Sequence, residues 1–207
     1  EKNKLVEKQK LLQIQTAFDQ KIAETEMIAL RSQMNPHFIF NCLNSIKLYT
    51  LENDSAAASE YLTVFSQLIR LVLENSHSEK VSLQKELETL RLYIELEAMR
   101  FKDKVQYKIE VAPEIDQQYT EIPPLLIQPY VENAIWHGLM AKEGDKKLII
   151  NFEITENELL ICTINDNGIG REASAKLKEV RPNEEKHQSR GLSLVYDRLK
   201  MLEQQQK

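Results

Sequence analysis

Apolar positions change their spacing along this chain, and the changes divide it into elements. Over residues 23–49 they recur at helical intervals, with Leu30, Met34, Phe38, Ile39, Phe40, Leu43 and Ile46 on the flanking faces. A polar stripe runs through the same stretch, because Gln33, His37, Asn41 and Asn44 follow i, i+4, i+8, i+11 spacing. After a break at Glu52-Asn53-Asp54-Ser55, either Asp54 or Ser55 suits the N-cap of a second helix. That helix carries Tyr61, Leu62, Phe65, Leu68, Ile69, Leu71, Val72 and Leu73. Two such helices bury their faces poorly alone, so dimerisation into a four-helix bundle is expected. Upstream, residues 1–26 are rich in Lys, Glu and Gln, with Leu11, Ile14, Phe18 and Ile28 on one heptad seam that Lys21 and Thr25 interrupt. A short coiled coil and a solvated helix are both open there.

Downstream of the hairpin the pattern becomes mixed. Ser82 suits the cap of a helix whose Leu83, Leu87, Leu90, Ile94, Ala98 and Phe101 repeat at core spacing. Then Val105, Tyr107, Ile109 and Val111 alternate as in a strand, and Pro113 stops them. Ile122-Pro123-Pro124 leads into an apolar helix over 125–137 that Gly138 closes. Residues 147–155 and 159–165 read as strands joined by a turn, followed by a loop over 166–170. A short helix from Arg171, a polar stretch over 180–190 and a helix over 191–203 complete the order. Helices first and a mixed region after them predict an α+β chain whose two parts meet near Lys80.

Composition narrows the classes. The 207 residues carry a net charge of −5, with a sequence pI of 5.5, which offers no basic footprint for nucleic acid or an anionic membrane. The two cysteines, Cys42 and Cys162, stand in apolar contexts, and their number suggests a reducing compartment rather than a disulfide framework. No run reaches the length of a transmembrane helix and no signal peptide is visible. The chain starts at Glu1 within a helical pattern, as a piece of something longer would.

Four stretches could carry chemistry. Pro36-His37 puts a proline inside a helical pattern, where it removes one backbone hydrogen bond and crowds the preceding turn, beside a titratable nucleophile. His37 reads equally as a buried histidine satisfied by amide neighbours. Glu132 and Asn133 interrupt the apolar helix, and Asn133 shares a face with His137. An amide oxygen there suits Mg²⁺, while a helix with a wet edge is the plainer alternative. Asp166-Asn167-Gly168-Ile169-Gly170 ends a strand with a carboxylate able to accept from an exocyclic amine and two glycines that allow close backbone approach. An ordinary turn has the same composition. Ser189-Arg190-Gly191-Leu192 opens the last helix, where backbone N–H groups favour phosphate, as part of either a lid or a plain loop. His77 reads as an exposed helix-end residue. No zinc spacing, P-loop or serine-hydrolase elbow is present.

The order of these stretches resembles one family. Residues 35–44 (Asn-Pro-His-Phe-Ile-Phe-Asn-Cys-Leu-Asn), residues 129–138 (Pro-Tyr-Val-Glu-Asn-Ala-Ile-Trp-His-Gly), the Asp166–Gly170 box, and Gly191-Leu192 with Arg198-Leu199 are together similar to the LytS-like sensor histidine kinases. The resemblance covers residues 29–202. It implies a coiled-coil signalling helix over 1–28, a dimerisation and histidine-phosphotransfer hairpin over 29–79, and over 80–207 an α/β-sandwich ATP-binding domain of the type shared with gyrase and MutL. It further implies ATP and Mg²⁺, a homodimer, and a response regulator as phosphate acceptor. This segment would be cytoplasmic, and upstream segments would anchor the parent in the bacterial plasma membrane.

By position, the resemblance makes His37 the phosphoacceptor, with Asn41 one turn on to orient it. Asn133 becomes the Mg²⁺ ligand and Asp166 the adenine reader. Gly168 and Gly170 shape the loop at the start of the lid, and Ser189, Gly191 and Leu192 form the second glycine box near the phosphates. Three departures stand out. The residue three after Asn133 is often lysine in the wider family and here is Trp136, which leaves His137 as a phosphate contact from that helix. His187-Gln188-Ser189-Arg190 stands where other members carry more glycines, as in one branch of the family; His187 either touches phosphates or is an exposed lid residue. Phe38 occupies the place of the acidic general base, so no base is named. The family's ATP domain normally ends in a further β-hairpin; this sequence stops at Lys207, so either that hairpin lies beyond it or the domain is curtailed. A catalytically silent, ATP-binding dimeric scaffold is therefore the alternative to an active kinase.

Overall fold

The computed structural model describes residues 36–76, 78–101, 105–170 and 173. The coiled-coil segment, His77, the lid with His187, the Ser189–Leu192 box and the last helix lie outside the described residues.

Helix α1 spans Pro36–Leu51. Pro36 is thus the first helical residue described, and the segment that would form a kinked helix with it lies outside. The chain reverses at Asn53, whose φ of 58° is tolerated by an asparagine. The Asp54 N–H closes onto the Tyr49 carbonyl at 3.0 Å, and Asp54 Oδ1 accepts from the Ala57 N–H at 3.0 Å. Asp54, rather than Ser55, is therefore the cap of helix α2, Ser55–Ser76. Its buried residues Tyr61, Val64, Leu68, Val72 and Asn75 lie on one face, whereas Leu62 is exposed.

Strand β1 (Val81–Ser82) leads into helix α3, Leu83–Arg100, where the Ser82 hydroxyl accepts from the Lys85 N–H as the sequence predicts. Helix α3 buries residues on nearly every side, including Leu83, Leu87, Leu90, Tyr93, Ile94 and Leu96. The reason is that the hairpin packs on one flank while the sheet region packs on another, giving one continuous core from Phe38 to Phe152. Across the first contact, Phe38 meets Tyr93 with ring centroids 4.9 Å apart, and the Tyr49 hydroxyl donates to the Met99 carbonyl at 2.9 Å.

The main sheet has the order β2-β4-β5, with β2 at Val105–Val111, β4 at Lys146–Ile154 and β5 at Leu160–Asp166. β2 runs parallel to β4, and β4 antiparallel to β5. Period-two alternation sends Leu148, Ile150 and Phe152 into the core and Ile149 outward. The short strand β3, Glu121–Ile122, pairs with β1. Helices and sheets together make the chain α+β.

Both ends of one helix differ from expectation: Gly138, expected to close it, lies inside a π turn, Ala134–Leu139. The apolar helix begins not at Leu125 but at Gln128, as α4, Gln128–Asn133. The buried Glu86 carboxylate accepts from the N–H groups of Leu125 at 2.8 Å and Ile127 at 3.3 Å, and Leu125 has φ 56°. These bonds satisfy the approach segment outside the helix. Beyond Asn133 the helix continues as a π turn, Ala134–Leu139.

Candidate active site

The site is built where the end of this helix meets the end of β5. Asn133 Nδ2 donates to the Pro129 carbonyl at 2.8 Å. That bond fixes the side-chain amide against its own helix. Wider i→i+5 bonding follows, and the Met140 N–H reaches the Ile135 carbonyl at 2.9 Å. Such π turns are frequent at functional sites because they offset the side chains beyond them. Here the offset affects Trp136 and His137, both half-buried.

Gly138 and Gly168 bring the two halves of the site together. A Cβ on Gly168 would collide with the Gly138 backbone, and one on Gly138 would collide with the Asp166 carboxylate. The Ile169 N–H donates to the Gly138 carbonyl at 3.1 Å. Asp166 Oδ1 accepts from the Gly168 N–H at 2.9 Å, which orients the carboxylate. Asn167 secures the loop: its Oδ1 accepts from the Lys147 N–H at 2.8 Å, and its Nδ2 donates to the Asp145 carbonyl at 3.2 Å. Lys142 Nζ donates to the Asn167 carbonyl at 2.7 Å. Gly170 has φ +80°, the backbone region that favours glycine.

The elements bearing Asn133, His137, Asp166, Gly168 and Gly170 therefore converge. His37 and Asn41 belong to a different element, α1, whose Phe38 and Cys42 are buried against α3. Burial pushes the Cys42 thiol up to about 12. Among the described residues no three His, Cys, Asp or Glu side chains are grouped to hold a metal ion. The Asn133 amide is a hard oxygen donor of the type that suits Mg²⁺.

Sequence reading missed three charged residues of α3. Glu86 and Glu97 are both 2 % exposed. Burial pushes the Glu97 carboxyl up to about 7, opposed by Arg100, reinforced by Glu132, and opposed again by the Trp136 indole N–H. Arg100 Nη1 stands 3.8 Å from Glu97 Oε2, and its guanidinium lies 4.4 Å over the Trp136 ring. A signal was present in the sequence. Glu86 and Glu97 fall at helical spacing among Leu83, Leu87, Leu90 and Ile94, so both carboxylates lie along the buried stripe.

The histidine kinase family matches residues 25–105. The sensor histidine kinase YpdA of Escherichia coli K12 is 33% identical over 179 residues, covering 86% of this chain and 31% of the relative. The sensor protein LytS of Oceanobacillus iheyensis is 38% identical over 151 residues, covering 73% and 25%. The chain belongs to the LytS-like sensor histidine kinases. A further relative, the sensor histidine kinase BtsS of Escherichia coli K12, is 35% identical over 146 residues, 70% of this chain and 25% of its own length. The chain thus spans about a quarter to a third of the length of these relatives. Among the described residues no helix is long and apolar enough to cross a membrane.

Proposed function

We propose that the chain is the kinase core of a two-component sensor histidine kinase, autophosphorylating on His37 with ATP and passing the phosphoryl group to an aspartate of a response regulator. The observation that carries this reading is the closure of the Asp166–Gly170 loop onto the Asn133–Gly138 helix through two glycines. A strand-end carboxylate, an oriented amide and an accessible backbone loop then face one ligand. In this arrangement Asp166 accepts from the adenine amine, while Gly168 and Gly170 shape the start of the lid. His137, Ser189, Gly191 and Leu192 line the phosphates, and Asn133 holds Mg²⁺, which offsets phosphate charge when bound.

A neutral nitrogen of His37 attacks the γ-phosphorus in line. The new N–P bond forms as the bond to the bridging oxygen breaks, and ADP leaves with that electron pair. Asn41 orients the imidazole. The protein's main contribution is positioning, since the two groups come from separate elements.

Residues 1–28 serve as the signalling coiled coil, 29–79 as the phosphotransfer hairpin and 80–207 as the ATP-binding sandwich. Phe40, Leu43, Leu48 and Leu51 of α1 and Leu62 of α2 are exposed, which supports a homodimer closed as a four-helix bundle. The segment works in the cytoplasm of a parent anchored in the plasma membrane by upstream residues.

A second reading, a nucleotide-binding scaffold without catalysis, is favoured by Phe38, which is committed to the core where an acid would serve as base. Incubation with γ-labelled ATP and Mg²⁺ separates the two. Acid-labile label, lost in His37→Gln and kept in His77→Gln, is expected; nucleotide binding without any label would leave the scaffold.

A further inference from the structure

Tyr93, Glu97 and Arg100 recur at i, i+4, i+7 on α3 and so present their polar ends along one face. Each has a buried polar atom, Oη, Oε2 and Nη1 respectively, without a hydrogen-bond partner among the described residues. Buried polar groups in folded proteins are nearly always paired. Glu97 Oε2 and Arg100 Nη1 instead face each other at 3.8 Å, and the Trp136 side chain meets both Tyr93 and Glu97.

Two other elements press on the row. From the Asn133 helix, Trp136 lies under the Arg100 guanidinium, and Glu132 and the Trp136 indole N–H both act on the Glu97 carboxyl. Phe101 meets the Trp136 ring edge-on at 6.2 Å. From the hairpin, Phe38 lies against Tyr93, while Cys42 and Tyr61 are near enough for the Glu97 charge to disfavour ionisation of both. The row therefore stands between the helix that carries Asn133 and the helix that carries His37.

We propose that Glu97 and Arg100 are positioning residues for phosphoryl transfer: Glu97 draws the Arg100 guanidinium onto Trp136, and this stack sets the Asn133 helix against α3, on which the His37 helix is seated through Phe38. The proposal rests on the kinase reading above. At 3.8 Å the pair is close enough to attract but too long for a hydrogen bond. Glu97 is 2 % exposed and Arg100 24 %, so the attraction is only partly screened, and a shift of Trp136 that moves the guanidinium is felt at α3. Cation–π stacking adds to the hold, and desolvation strengthens it.

The chain has one tryptophan, so Trp136 emission reads the stack directly. In wild type, emission is expected to titrate with a midpoint near the Glu97 value of about 7, and this transition is absent in Glu97→Gln. Arg100→Met is expected to slow labelling at saturating MgATP by about tenfold or more, with affinity for a fluorescent ATP analogue held within about twofold. Arg100→Lys restores part of the rate. Labelling at the wild-type rate, parallel loss of rate and nucleotide affinity, or emission indifferent to both substitutions overturns the proposal.

Should Arg100→Met fail to fold by circular dichroism, Trp136→Phe decides, because it keeps an apolar ring but removes the indole N–H. The same separation of rate from affinity is expected, and its absence is equally fatal. If wild type takes no label, the kinase reading fails by itself. The stack is then judged by emission alone: MgATP must change it in wild type and change it less in Arg100→Lys, with no such difference refuting the coupling.

Discussion

At Gly138 and Gly168 two backbones approach within the space that one methyl group would fill, so these glycines act through what they lack. Gly168→Ala must push the Asp166 loop off the helix, because the colliding atoms are backbone with no rotamer to yield. Nucleotide affinity measured by calorimetry is expected to fall at least about tenfold, equivalent to about 1.4 kcal/mol, while far-ultraviolet dichroism is retained. Glu97 makes a different prediction. Its carboxyl is raised from 4.5 to about 7, so its contribution to stability is fully present below the unfolded value and is lost as pH rises through the folded one. The shift is equivalent to about 3 kcal/mol. Denaturant melts at about pH 5 and about pH 8 are expected to show the difference between wild type and Glu97→Gln moving in the variant's favour at the higher pH. A pH-independent difference would remove the assigned shift.

Elements were legible where periodicity was strong. Helix α2, helix α3 with its Ser82 cap, and the alternating β2 and β4 all follow from spacing, because burial on one face imposes that spacing. The start of α4 was not legible. It is set by Glu86, about forty residues earlier in sequence, a tertiary bond that local propensity does not encode. The π turn was hidden for a similar reason, since its extra residue leaves the apolar pattern of 134–139 intact. In the site, Asn133, Asp166 and the glycines stood out as polar or small residues in apolar stretches, whereas Arg100 carries no such signal, because the Trp136 ring it covers belongs to another element. Glu86→Gln keeps one acceptor oxygen but offers an amine to the second N–H. It is expected to destabilise the chain by about 1–3 kcal/mol in urea melts, and a neutral result would show that the segment before α4 holds its path unaided.

For the whole molecule, the exposed apolar residues of the hairpin mark where a second copy would add most. Phe40 and Leu51 are 65% and 69% exposed, a large apolar exposure for a monomer's helix. The double substitution Phe40→Ser with Leu51→Ser is expected to convert a dimer into a monomer in sedimentation velocity. It should leave nucleotide binding intact, because neither residue is among those converging on Asp166. A variant that stays dimeric would move the interface to another surface.

The parallel pairing of β2 with β4 also governs how the molecule can be assembled in time. Parallel neighbours cannot be joined by a tight hairpin, so the chain between Val111 and Lys146 must cross over, and Asn133, His137 and Gly138 all ride within that crossover. Asp166 lies beyond it, at the far end of the next strand. The ligand-facing groups consequently have no local precursor, and their meeting waits on a long-range closure whose entropy is spent before any contact rewards it. On the proposed function, nucleotide would be recognised only by chains that have completed this step, so binding competence would come with the assembled sheet rather than with any fragment of the site.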